Sequence, residues 1–140
     1  MSERLAAAPL VTTQKLRFCD TDALGHVNNA VYSVLLEAGR VEMVQAAGLL
    51  DPANGFGVVI ARLELDYLRE LTWPAEIRIE TALHRLGAKS IQARQKLFKG
   101  EDLVARASSV LAVIDLATRR SVPLRDDWRA VLEQWLVPEY

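Results

Sequence analysis

The chain of 140 residues is 51% hydrophobic and 25% charged, which suits a buried core and excludes a disordered tract, a collagen-like fibre or a low-complexity segment. Seventeen Lys and Arg against eighteen Asp and Glu leave a net charge of -1, so neither nucleic acid nor an anionic membrane is indicated as a partner; a local basic pocket for a phosphorylated ligand stays open. One cysteine, Cys19, excludes an intrachain disulfide, and with only two histidines the donor set is too small for a closed zinc site, so no metal is expected.

In chain order, Met1 to Pro9 is too short and too weakly apolar for a signal peptide or a spanning helix. The expectation is therefore a soluble, cytoplasmic chain forming a single domain over residues 1–140. Residues 10–19 are rich in β-formers and loosely alternating, which predicts a first strand. Residues 20–29 carry Asp, Gly and Asn and read as a loop ending on a helix N-cap.

A helix is predicted from Ala30 to about Ala47. It has one apolar row at Val31, Val34, Leu35 and Ala38, extended by Val41, and a second at Tyr32, Leu36, Gly39 and Met43. Apolar on two sides, it is expected to be wrapped on most of its circumference. Gly39 costs helix stability relative to Ala, so close backbone packing is its expected reason. Gly48 fits a C-cap, and 49–57 reads as a connection.

The period then changes to two. Residues 58–68 give a strand with Leu63, Leu65 and Tyr67 on one face and Glu64 and Asp66 on the other. A turn at 71–75 leads to a strand alternating Ile77, Ile79, Thr81 and Leu83 with Arg78, Glu80 and His84. Gly87-Ala88-Lys89 and Lys99-Gly100-Glu101-Asp102 are turns around a strand from Ser90 to Phe98, and Leu103 to Asp115 is the last and most apolar strand. Residues 124–136, with Trp128, Val131, Leu132 and Trp135, predict a short closing helix.

The order is an α+β pattern, a curled antiparallel five-stranded sheet around one long helix. One helix covers one sheet face. The other face, and the exposed edges expected at the first and last strands, are natural places for a second subunit, so an oligomer is expected.

The stretch that carries chemistry is Asp20-Thr21-Asp22-Ala23-Leu24-Gly25-His26-Val27-Asn28-Asn29. Two carboxylates precede a glycine, a histidine and the start of the most buried helix. Unpaired N–H groups and positive potential at a helix N-terminus stabilise negative charge developing on an acyl carbonyl. A loop carboxylate can act as general base towards water or attack the carbonyl itself. A well-capped helix would use the same residue types.

Arg17 to Tyr32, with Glu37 and Arg40 further on, resembles the signature of the 4-hydroxybenzoyl-CoA thioesterase-like acyl-CoA thioesterases, a family of the hotdog fold. Tyr67-Leu68-Arg69-Glu70-Leu71-Thr72-Trp73-Pro74-Ala75 and Arg85-Leu86-Gly87-Ala88-Lys89-Ser90 match its layout, and the resemblance covers roughly residues 10 to 125. It implies hydrolysis of a fatty or aromatic acyl-CoA to free acid and CoA, with Asp22 as general base or nucleophile. It also implies that a backbone N–H near Gly25, His26 or the following helix turn polarises the carbonyl. No metal or redox cofactor takes part in that family. Its members are homodimers or homotetramers with sites at the subunit interface, and the His26-Val27-Asn28-Asn29 form points to the branch acting mostly on fatty acyl chains.

Each residue also has a plainer role. Asp22 can cap its own turn, though the surrounding block favours catalysis. Asp20 reads as structural, holding the loop or pairing with an arginine. The backbone N–H of His26 is the favoured functional group, with its imidazole as acid or water-orienter an even alternative. Asn28 and Asn29 are the best capping residues of the chain, and Asn29 is a candidate substrate contact. Tyr32 divides between core and acyl contact. Glu37 and Arg40, three apart, read as an ion pair, with Glu37 assisting Asp22 as the lesser reading. Arg62, Arg69, Arg85, Lys89 and Arg94 are candidates for the CoA phosphates, and Gly87 and Ser90 for donors to the pantetheine or nucleotide. Cys19 reads as buried filler.

Two other functions share the pattern. One is a non-catalytic acyl-CoA or acyl-carrier-protein binding module, which would bind without releasing thiol. The other is a hydratase or dehydratase, which leans on a histidine paired with a carboxylate and has only His26 and His84 to draw on.

Overall fold

A computed structural model describes residues 6–140. Strand β1 (Leu10–Lys15) leads through a 3₁₀ turn and a loop into helix α1 (Asn29–Ala46); β2 (Phe56–Tyr67), β3 (Glu76–Leu86), β4 (Ser90–Lys99) and β5 (Asp102–Asp115) follow, and α2 (Asp126–Leu132) closes the chain. The helix expected over 124–136 is thus a shorter α-helix continued by a 3₁₀ turn at Glu133–Trp135.

All strand pairs are antiparallel, in the order β1-β3-β4-β5-β2. The edges are therefore β1 and β2, not the first and last strands as the element order suggested. Short turns bind β3 to β4 and β4 to β5 as hairpins, and β2 pairs with the other side of β5, so β5 lies inside the sheet. The long β1–β2 connection carries α1 across the sheet and delivers β2 to the opposite edge, and α1 packs on β1 and β3. This is the hotdog arrangement, a curled sheet around one long helix.

Of the two apolar rows on α1, the second is buried throughout, at Tyr32, Leu36, Gly39 and Met43, whereas the first is buried only at Leu35 and leaves Val34 56% exposed. Close approach accounts for Gly39. A Cβ there would stand 2.6 Å from Thr81 Oγ1 and 2.8 Å from Ile79 Cγ2. Gln95, buried beside it on β4, donates through Nε2 to Leu36 O (2.8 Å) and Thr81 Oγ1 (2.9 Å) and accepts from Arg40 Nη1 (3.2 Å). The expected Glu37–Arg40 pair does not form; Arg40 is held by Gln95, and its burial holds the guanidinium below its usual range.

Two apolar clusters divide the interior along α1. Leu16, Val27, Tyr32, Leu36, Leu71 and Ile79 belong to the cluster at its N-terminal half. Met43 and Val44 meet Leu83, Trp128, Leu132 and Trp135 in the other, where Phe56 lies edge-on to Trp128 at 5.1 Å. No described helix is long and apolar enough to cross a membrane.

Candidate active site

Asp, Gly and Asn shape the loop before α1 because each supplies something other residues lack. Gly25 takes φ 82°, the left-handed conformation that closes the turn. Asp22 Oδ1 accepts from the N–H of Leu24 (2.9 Å) and of His26 (3.1 Å), while the Asp22 N–H donates to His26 O at 2.7 Å. Thr21 and Val27 bridge as a miniature antiparallel pair, and Asp20 O accepts from Asn28 N–H at 2.9 Å. Asn28 caps the helix, its side chain accepting from Ala30 N–H at 2.9 Å.

Asp20 is structural, as expected. Its carboxylate accepts from the Arg17 N–H (2.8 Å) and pairs with Arg17 Nη2 (3.0 Å). Burial pushes this carboxyl up, but the Arg17 hydrogen bonds and charge outweigh it and hold the group below the usual carboxylate range. Cys19 is exposed, which corrects the reading of it as buried filler.

The loop is fastened to the β2–β3 connection. Val27 N–H donates to Leu71 O at 2.8 Å, and His26 bridges to Thr72. Between them opens a cleft of about 300 Å³ bounded by Asp22, His26, Val27, Asn29, Tyr32, Tyr67, Leu68, Arg69 and Glu70. Two tyrosines brace it. Tyr32 Oη donates to Arg69 O (3.0 Å), Tyr67 Oη donates to Asn29 O (3.2 Å), and the rings meet edge-on at 5.0 Å. Burial pushes the Tyr32 phenol up, so it remains a donor. His26 Nε2 stands 3.3 Å from Glu70 Oε2, and Arg69 pairs with Asp102 at 3.4 Å.

The expected residues Asp22, His26, Asn29, Tyr32 and Arg69 therefore share one cleft. Of the expected oxyanion donors near Gly25, His26 and the following helix turn, the first two have acceptors in the loop. The Gly25 N–H donates to Asp22 O at 3.2 Å and the His26 N–H to Asp22 Oδ1, so both are engaged in shaping the loop. From Leu24 to Val31, the N–H of Asn29 alone has no acceptor among the described residues. Asp22 Oδ2 likewise has no partner among the described residues.

Four expected substrate contacts lie elsewhere. Arg62, paired with Glu64, lines a separate groove between α1 and β2. Gly87, Lys89 and Ser90 form the β3–β4 turn at the far end of β3, whose eleven residues span roughly 35 Å at about 3.3 Å each. There the Gly87 N–H donates to Ser90 O (2.8 Å), and Gly87 O accepts from Arg129 of α2. Arg94 donates to Tyr140 O at 3.3 Å, outside the cleft. His84 sits at a bulge in β3 and does not line the cleft either.

Tyr67, Leu68 and Glu70 were not singled out from the sequence. The signal was present, because the Tyr67–Ala75 block matched as one piece and only Arg69 was carried forward from it. Among the described residues no group of three or more His, Cys, Asp or Glu is placed to hold a metal.

The sequence profile of the thioesterase-like superfamily matches residues 16–136. The chain is 28% identical over 127 residues to the long-chain acyl-CoA thioesterase FadM of Escherichia coli, covering 88% of this chain and 96% of that protein. It is 26% identical over 99 residues to the uncharacterised protein YsmA of Bacillus subtilis, covering 71% of this chain and 65% of that one. Among solved structures, that of a predicted thioesterase from Bacillus stearothermophilus superposes with a TM-score of 0.86 at 27% identity, covering 93% of this chain and 98% of the other.

Proposed function

The chain belongs to the thioesterase-like superfamily, and from that premise we propose that it hydrolyses acyl-CoA thioesters, with Asp22 as the acting carboxylate. One observation carries this reading: the cleft at the start of α1 is lined by Asp22, whose Oδ2 has no partner among the described residues, and by Asn29, whose helix-terminal N–H has none there either. Asp22 Oδ2 takes a proton from a water whose oxygen attacks the thioester carbonyl carbon. The Asn29 N–H and the positive end of α1 stabilise the charge gathering on the carbonyl oxygen. The carbon–sulfur bond then breaks, CoA leaves as the thiolate with the bonding electrons, and the proton held by Asp22 passes to the thiolate or to solvent. Oδ1 stays bonded to the Leu24 and His26 N–H groups, which fixes the carboxylate's direction.

The proposed donor is CoA, and the acyl group fatty or aromatic; the likeness to FadM, named for long-chain acyl-CoA, supports the fatty one. We further propose that the protein works as a homodimer or homotetramer in the cytoplasm. In support, β2 is a twelve-residue edge strand, and Ile60 on it and Val34 on α1 are 45% and 56% exposed in one groove.

A panel of short, long and aromatic acyl-CoAs incubated with a thiol reagent tests the activity. Catalytic release of thiol from at least one class is expected. Saturable binding to the panel with no release from any member would contradict hydrolysis and favour the binding-module alternative.

A further inference from the structure

Resting on the reading of Asp22 as the group acting on a thioester, we propose that Glu70 is a positioning residue for His26, fixing which imidazole nitrogen carries the proton. The two side chains come from different segments held in register by the backbone. His26 bridges to Thr72 and Val27 bonds Leu71 O, which sets residue 70 two positions along the facing segment from the partner of His26, within diagonal reach of its ring. His26 Nε2 is 3.3 Å from Glu70 Oε2.

The Glu70 carboxylate, which has only acceptor oxygens, stands at ion-pair distance from Nε2 rather than in a hydrogen bond, and its negative charge favours the proton on the nitrogen that faces it. In the neutral ring, Nδ1 is then the bare acceptor. The other charged and titratable groups around the cleft are engaged elsewhere. Arg69 pairs with Asp102, the Tyr32 hydroxyl donates to Arg69 O, the Tyr67 hydroxyl donates to Asn29 O, and Asp22 Oδ1 meets the backbone N–H of His26. Glu70 is thus the one carboxylate addressing the ring among the described residues. Its side chain is 74% exposed, so the contact adds little to the fold and its loss leaves the fold intact.

What the pair supplies is direction. A bare Nδ1 in the same cleft as Asp22 Oδ2 can accept one hydrogen of a water while the carboxylate takes the other, orienting the water with no net proton transfer at the imidazole.

The test joins two readouts on the intact protein. Long-range ¹H–¹⁵N spectra resolve the imidazole tautomers of the two histidines, and His26→Gln assigns them. The wild type is expected to hold His26 as the Nε2–H form, and Glu70→Ala to give a mixture. Steady-state hydrolysis of whichever acyl-CoA the wild type accepts is expected to lose about tenfold in kcat in Glu70→Ala with KM within about twofold. Glu70→Gln, which keeps the acceptor, restores the tautomer and most of kcat. An unchanged tautomer in Glu70→Ala, or a loss confined to KM, overturns the inference. If the wild type hydrolyses no thioester, the reading of Asp22 fails, and the spectra still decide what Glu70 does to the ring.

Discussion

At its N-terminal end α1 begins beneath a loop of polar residues and exposed apolar ones, with Leu24 80% exposed; at its C-terminal end it is sealed under Trp128, Leu132 and Trp135. The sealed end is made by side chains that exclude water, and almost every contact there is apolar. The open end is made by backbone groups satisfying one another around Asp22, which leaves one carboxylate oxygen and one N–H without a partner among the described residues. On the proposed function, stability and chemistry are therefore separated along one helix. The buried row of α1 joins the two ends, and the loop can hold unpaired polar groups because the other end does not have to.

This contrast can be broken from either side. Leu132→Ala, which empties a fully buried position of the sealed end, is expected to cost about 2–5 kcal/mol in chemical unfolding. It should leave the rate per folded molecule unchanged, and a rate that falls in step with stability would show that the ends are not separate. Midway between them, Gly39→Ala gains up to about 1 kcal/mol of helix propensity but drives a Cβ into Thr81 and Ile79. A net destabilisation of about 1–2 kcal/mol is expected from urea midpoints, because the overpacking is against a packed sheet.

The smallest effect belongs to the open end. Asp20, whose folded carboxyl is held below its unfolded range by Arg17, contributes stability that is complete above the unfolded value and is lost as pH falls through the folded one. Unfolding free energy should decline on acidification below about pH 4, and less steeply in Asp20→Asn. Equal slopes would remove Asp20 from the account.

Much of this was legible in the sequence, and unevenly so. Alternation and turn residues placed every strand, and Gly39 announced the close packing of α1 on the sheet. The loop at 20–29 was legible because its chemistry is local: Asp22, Gly25 and Asn28 act on groups within four residues of themselves. Strand order was not, because the position of β2 at an edge follows from where α1 delivers it rather than from any residue in β2. The place of Gly87, Lys89 and Ser90, away from the cleft of their own chain, was not legible for the same reason, since nothing in a turn's own sequence tells which end of the sheet it occupies. Tyr67 and Glu70 reach the cleft through the bridge of His26 to Thr72, a pairing across 46 residues of chain that periodicity cannot disclose.

The central claim is that the open end works through the Asp22 carboxylate. Asp22→Asn keeps an oxygen able to accept from the Leu24 and His26 N–H groups and removes the base. Measured side by side on the acyl-CoA that the wild type turns over fastest, the variant should unfold at the wild-type midpoint and lose about 10²–10⁴-fold in kcat. A folded variant that releases thiol at the wild-type rate would contradict the assignment.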